Sequence, residues 1–292
     1  MGRLIGARSD YAFISLEVRF HAARKGLAEL VMGQSDLDDF LEKCRGFWFK
    51  RGMKGNRGLQ RIVSEDDLDA ALDRFEDAYY EDRVVASRRL AHDLLDPVVE
   101  AQGKRAWVEV SGPNIRSGPG LLRIFPEARF VHMMRDGRAV AASIVHKESM
   151  TNDPMKALRK HWHERVRDSD LAARKMPEES ILLMRLERLT AEDREESYRR
   201  LVDFLGSDDP GMKAYFDDEI SATASHHGQW RERLDDEDAE RVDRTYAKLL
   251  RQLHRDGATS VPSLDEVGGG STGITRSAAL GRILRAPLRT RR

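Results

Sequence analysis

Four short apolar runs, spaced by segments of helical pattern, constrain this chain more than any other feature. They are YAFISL at Tyr11 to Leu16, WVEV at Trp107 to Val110, RFVHMM at Arg129 to Met134 and SILLMRL at Ser180 to Leu186. Each is rich in β-formers and bounded by polar or turn residues, the pattern of a short buried strand. Between the second and third runs Ser117 to Phe125 reads as a helix stopped at Pro126, and Ala139 to Glu148 and Pro154 to Lys175 follow the third. A strand, a helix and another strand pair in parallel. The expected architecture is therefore an α/β fold, an open parallel sheet with helices on both faces, and ligands gather at the carboxyl ends of such strands.

From Gly26 to Ala101 apolar residues recur three and four apart (LAELV, LDDFLEKC, LDAALDRFEDAYY, ASRRLAHDLLDPVVEA), so this stretch is expected as a helical insertion. Helical pattern resumes at Ala191 and fades after Gly257. One domain is expected over residues 1–255, with a flexible linker over 256–275 that includes GGGST, and a basic tail over 276–292 with six arginines and no acidic residue. The 50 basic residues equal the 50 acidic ones, so no global field draws the chain to nucleic acid or anionic membrane. No apolar run reaches the ~20 residues that span a bilayer. Cys44 is the only cysteine, which rules out an internal disulfide and suits a reducing compartment, so a cytoplasmic location is expected.

The strongest local signal is FVHMMRDGRAVAAS, Phe130 to Ser143: a strand, a tight turn at Asp136 and Gly137, then a helix. Arg135 stands where the strand ends and Ser143 lies eight residues on, about two helical turns into the helix. A guanidinium, free N–H groups at a helix start and a hydroxyl can clamp a phosphate. The alternative is an ordinary turn in which Asp136 caps the helix and Ser143 packs among alanines. At the end of the first strand YAFISLEVRFH sets Glu17, Arg19 and His21 at the sheet rim. Glu17 could accept a proton from a hydroxyl, or it could form a surface ion pair with Arg19.

Taken in order, these segments resemble the sulfotransferase family. The Arg135 to Ser143 stretch resembles its 3′-phosphate motif. Met184 to Gly206 resembles its strand and helix of the RYEDL … FLG type, and GQWRERL at Gly228 to Leu234 resembles its closing Gly-x-Trp segment. The resemblance implies a three-layer, P-loop-like parallel sheet and transfer of a sulfuryl group from 3′-phosphoadenosine 5′-phosphosulfate to an acceptor hydroxyl, without a metal. It assigns Arg135, Ser143 and Trp230 to the nucleotide and Glu17 to general base, with Arg19, His21 and Asn114 on the acceptor. His21 is the rival base. Glu187 is read as a brace, Trp107 and Trp162 as core, and His226 and His227 as solvated. The acceptor, be it carbohydrate, lipid, phenol or peptide tyrosine, is not legible.

Two departures stand against the family pattern. The Arg-Ser-Gly-Thr-Thr loop that holds the 5′-phosphosulfate, with the strand before it, is not in the sequence, and MGRLIGARSD reads as the helix that would follow it. The first strand is thus expected to be missing, with Met1 internal to a longer protein. Where relatives read Trp-x-x-Lys-Thr-Pro, this chain has WVEVSGPN, so a Lys is absent and Arg116 is one substitute. The competing hypothesis is an inactive, sulfotransferase-like nucleotide-binding or interaction protein. A P-loop kinase would need a Gly-rich loop ending in Lys and Ser or Thr, together with Mg²⁺ ligands, and the sequence shows neither.

Overall fold

A computed structural model describes residues 1–50, 57–220 and 228–264. The chain divides into two compact units, Met1–Arg135 with Asp168–Ser225, and Asp136–Arg167 with the described residues beyond 227. His226, His227, the basic tail and most of the linker lie outside the described residues.

In the first unit the four expected strands are present with shifted ends: β1 Tyr11–Ile14, β2 Ala106–Glu109, β3 Phe130–Met134 and β4 Ile181–Arg185. They pair in parallel as β1 with β2 (Tyr11 opposite Ala106) and β3 with β4 (Phe130 opposite Ile181). The expectation of a single open sheet is corrected here: among the described residues the strands form two separate two-stranded sheets. The helix α1, Gly2–Gly6, packs on β1 and β2. Its Leu4 and Ile5 share an apolar cluster with Val108 of β2, Val131 and Met133 of β3, and Leu182 and Met184 of β4. A common core thus holds the pairs where backbone hydrogen bonds do not.

Successive strand residues point to opposite faces. Val131 and Leu182 enter the α1 cluster, whereas Phe130 and Ile181 enter another with Ile115, Leu121 and Met176. Tyr198 and Leu201 of α10 (Arg194–Leu205) and Met212 and Phe216 of α11 (Pro210–Glu219) complete the α1 side. After β1 the described residues include α2 Leu27–Val31, α3 Leu37–Lys43, α4 Glu65–Tyr79 and α5 Arg83–Ala101. Ser64 and Asp82 cap α4 and α5 through side-chain oxygens, which satisfies N–H groups that a helix start leaves open. The apolar stripes of these helices close on Ile14, Leu16, Val18 and Phe20.

The second unit is all helix: α7 Gly137–His146, α8 Pro154–Lys156, the first part of α9 Glu164–Ala173, and α12 Asp236–Arg255 (α6 is Gly118–Ile124 of the first unit). The single helix expected over Pro154 to Lys175 is interrupted by a π turn at Ala157–His163, which buries Leu158 and Trp162. Trp162 packs on Tyr246 of α12, ring centroids 5.0 Å apart. Gly137 lies beneath this pair, because a Cβ there would stand 2.6 Å from Trp162 and 2.7 Å from Tyr246.

Two outcomes follow from this packing. Gly137→Ala should overpack the second unit and destabilise it by about 1–3 kcal/mol; an unchanged melting curve would contradict the contact. At the base of α11, burial acts to raise the Asp209 pKa, but hydrogen bonds from the Ser9 hydroxyl (2.7 Å) and from the N–H groups of Ser9, Gly211 and Met212 bring it down to about 2. A carboxylate that titrates lower in the folded state stabilises the fold above its unfolded pKa, ~4, and loses that contribution as pH falls toward 2. Asp209→Asn should therefore lower stability at neutral pH and flatten the acid limb of the stability profile.

Candidate active site

The site forms where β1 and β2 end side by side. Beyond Ile14 the chain leaves the sheet, and Glu17 and Arg19 meet directly: the Arg19 Nε and Nη2 donate to Glu17 Oε2 at 2.9 and 2.5 Å. The two side chains keep 42% and 35% of their surface exposed, so the pair faces solvent. Arg19 has φ +58°, a left-handed conformation that costs a residue with a side chain ~1–2 kcal/mol. A guanidinium held at such a backbone position is the kind of local strain that gathers at functional sites.

The next turn is rigid. The N–H groups of Leu27 and Ala28, which open α2, donate to the carbonyls of Phe20 and His21 at 2.9 Å each. Ser117 Oγ, one residue before α6, donates to Ala22 O at 2.7 Å. Gly120 lets α6 lie directly on α2, because a Cβ there would meet the Ala28 carbonyl at 2.5 Å. His21 is fixed in this frame with 5% of its side chain exposed, and the Phe20 ring stands edge-on to it at 5.5 Å.

Glu109, the last residue of β2, meets His21. Its side chain is 1% exposed and its Oε2 lies 3.2 Å from His21 Nε2. Asn114 joins both, since its Nδ2 donates to Glu109 Oε2 at 2.8 Å and its Oδ1 lies 3.2 Å from His21 Nε2. The Ser111 hydroxyl donates to Glu109 Oε1. Burial acts to raise the Glu109 pKa, yet the charge of His21 and the hydrogen bonds from His21, Asn114 and Ser111 hold it below the usual carboxylate range. The expected acceptor residues His21 and Asn114 are thus brought together. Glu109, which sequence reasoning passed over, is the group that joins them. The only signal for it was the charged residue inside the apolar run WVEV. His21 Nδ1 is buried and has no hydrogen-bond partner among the described residues.

Arg135 directly follows β3 and is half-buried. Asp136 caps α7 through the Arg138 N–H at 2.8 Å, as in the plain-turn reading. Ser143 lies within α7, half-buried, and its hydroxyl has no hydrogen-bond partner among the described residues. Trp230 is buried, with the guanidinium groups of Arg138 and Arg231 over its ring at 5.0 and 4.6 Å. Val110, in the place of the family's Lys, is exposed, as is Arg116, and Glu187 is buried. Among the described residues no group of three or more His, Cys, Asp or Glu could hold a metal ion, and no helix is long and apolar enough to cross a membrane.

The model of the Sulfotransferase family matches residues 31–211. This chain belongs to the sulfotransferase family. No curated protein and no solved structure matches it. The matched stretch contains Glu109, Asn114, Arg135 and Ser143, while Glu17, Arg19 and His21 precede it and Trp230 follows it.

Removal of a buried partner should be costly. Glu109→Ala leaves His21 and Asn114 without their acceptor and is expected to destabilise the fold by roughly 3 kcal/mol, measured by chemical denaturation. A cost below about 0.5 kcal/mol would show that the network is solvated.

Proposed function

We propose that this sulfotransferase-family chain transfers a sulfuryl group from 3′-phosphoadenosine 5′-phosphosulfate to an acceptor hydroxyl. The observation that carries the reading is the pair of proton-accepting side chains, Glu17 and His21, at the carboxyl ends of a parallel strand pair, where open α/β sheets bind their ligands. On this reading the strand pairs form the middle of a three-layer, P-loop-like domain.

The donor nucleotide supplies an activated sulfate; the rest is the work of this chain. The resemblance assigns Arg135, which follows β3, and Ser143 of α7, whose hydroxyl has no hydrogen-bond partner among the described residues, to the 3′-phosphate, and a guanidinium and a hydroxyl are suitable donors to it. Asp136 and Arg138 serve the turn between them. Arg138 donates to both oxygens of Asp136 and to Asp243 at 2.6 Å, beneath the rings of Trp230 and Tyr246. Trp230 therefore contributes by holding Arg138. Glu17 takes the acceptor proton as the acceptor oxygen bonds to sulfur and the bond from sulfur to the 5′-phosphate oxygen breaks. Arg19 orients the carboxylate and the acceptor, and Asn114 shapes the pocket floor.

A second reading exchanges the base. In a neutral His21 whose Nε2–H donates a hydrogen bond to Glu109, Nδ1, which has no partner among the described residues, would be the proton acceptor, the arrangement by which a carboxylate orients a histidine for proton transfer.

Incubation with 3′-phosphoadenosine 5′-phosphosulfate and a panel of carbohydrate, lipid, phenol and tyrosine-peptide acceptors should release 3′,5′-adenosine bisphosphate in an acceptor-dependent way. Glu17→Gln is expected to lose about 10²–10⁴-fold in turnover while binding 3′,5′-adenosine bisphosphate as the parent does. Arg135→Ala should weaken that binding at least about tenfold. Full turnover in Glu17→Gln combined with loss in His21→Asn would transfer the base role to His21. Parent-like nucleotide affinity in Arg135→Ala would overturn the phosphate assignment.

A further inference from the structure

The second unit carries an open cleft of about 490 Å³ whose walls are cationic. One wall is α12, which presents Arg241, Arg244 and Lys248. Their spacing of three and four residues puts them on one stripe about 10 Å long. The other wall is the end of α8 and the π turn after it, with Lys156 and Arg159. Asp153 is the acidic residue in the lining, and its carboxylate is committed to the backbone N–H groups of Met155 and Lys156 at 2.8 and 3.2 Å.

This concentration of charge stands out in a chain whose acids and bases are equal in number overall. Lys156, Arg159 and Lys248 have no ion-pair partner among the described residues. Among the described residues Arg241 and Arg244 pair only with Asp238 and Glu240 on their own helix, through single 3.2 Å contacts. Such contacts are weak enough for a better anion to displace. Two facing rows of cations raise each other's electrostatic energy until an anion enters between them. The same field reaches His161, whose pKa is lowered by burial and then by Arg165, Lys160 and Lys156.

We propose that this cleft binds a linear oligophosphate, a chain of three or more phosphates or the phosphate tail of a nucleotide. A single phosphate would engage one or two of the five cations and leave the others facing one another. A chain of phosphates spans the stripe and can take hydrogen bonds from both walls. The concave shape and small-molecule volume suit a compact ligand, not the face of a large partner. The lining includes none of the residues given to the sulfuryl donor or acceptor, so the cleft stands apart from that function whether or not it holds.

The test is calorimetric titration of the full chain with sodium tripolyphosphate, orthophosphate and ATP at fixed ionic strength. The parent should bind tripolyphosphate at least about tenfold more tightly than orthophosphate. Lys156→Gln combined with Lys248→Gln should weaken tripolyphosphate at least tenfold with an unchanged melting temperature. Arg45→Gln combined with Arg74→Gln, which removes the same charge from the first unit, should bind as the parent does. ATP binding as tight as tripolyphosphate identifies the ligand as a nucleotide and weaker binding a free oligophosphate; both support the cleft. The proposal fails if the Lys156 and Lys248 variant binds tripolyphosphate like the parent, if both double variants lose affinity alike, or if orthophosphate matches tripolyphosphate.

Discussion

A carboxylate taken out of water at the end of a strand is the constraint on which the candidate site rests. Glu109 cannot be charged and buried without donors around it, and the chain supplies three, His21, Asn114 and Ser111. To bring His21 there, the segment after β1 must turn sharply, cap α2 with its own carbonyls, and accept the Ser117 hydroxyl. To bring Asn114 there, the chain must reverse within five residues of Glu109. The loop geometry of both strand ends thus follows from one charge.

The second unit depends on a different charge. Burial disfavours the Arg138 guanidinium, but Asp136 and Asp243 hold its pKa well above the usual range, and two aromatic rings lie across it. The cap of α7, the packing of α12 and the placement of Trp230 meet at this one side chain. Its counterpart in the first unit is Arg8, which joins Asp10 (2.9 Å) to the Ser207 hydroxyl (2.8 Å) and ties the chain's beginning to the loop before α11. Both use the planar, multiply donating guanidinium as a joint.

Much of this was legible in the sequence because it is periodic. The four strands, their parallel sense and the helices after Gly26 follow from patterns of two and of 3.6 residues, and the Asp136 cap follows from its place before a helix. Failures came where a tertiary contact overrode a local pattern. Leu16 is apolar enough to extend β1, but it packs among the helices of the following segment, so the strand stops at Ile14. The helix from Pro154 takes a π turn so that Trp162 can meet Tyr246, a residue far away in sequence. Glu109 escaped notice because alternation explains a polar residue in a strand as solvent-facing, and only the partners brought by the two loops show it to be buried.

Arg19 carries one more consequence. A glycine would hold φ +58° at no steric cost, so the easiest stabilising change in this loop is one that deletes the guanidinium beside Glu17. Drift toward greater thermal robustness and retention of the charged pair pull in opposite directions at this position. The backbone angle therefore has a chemical counterpart: the loop holds a strained residue where an unstrained one would leave Glu17 without its guanidinium.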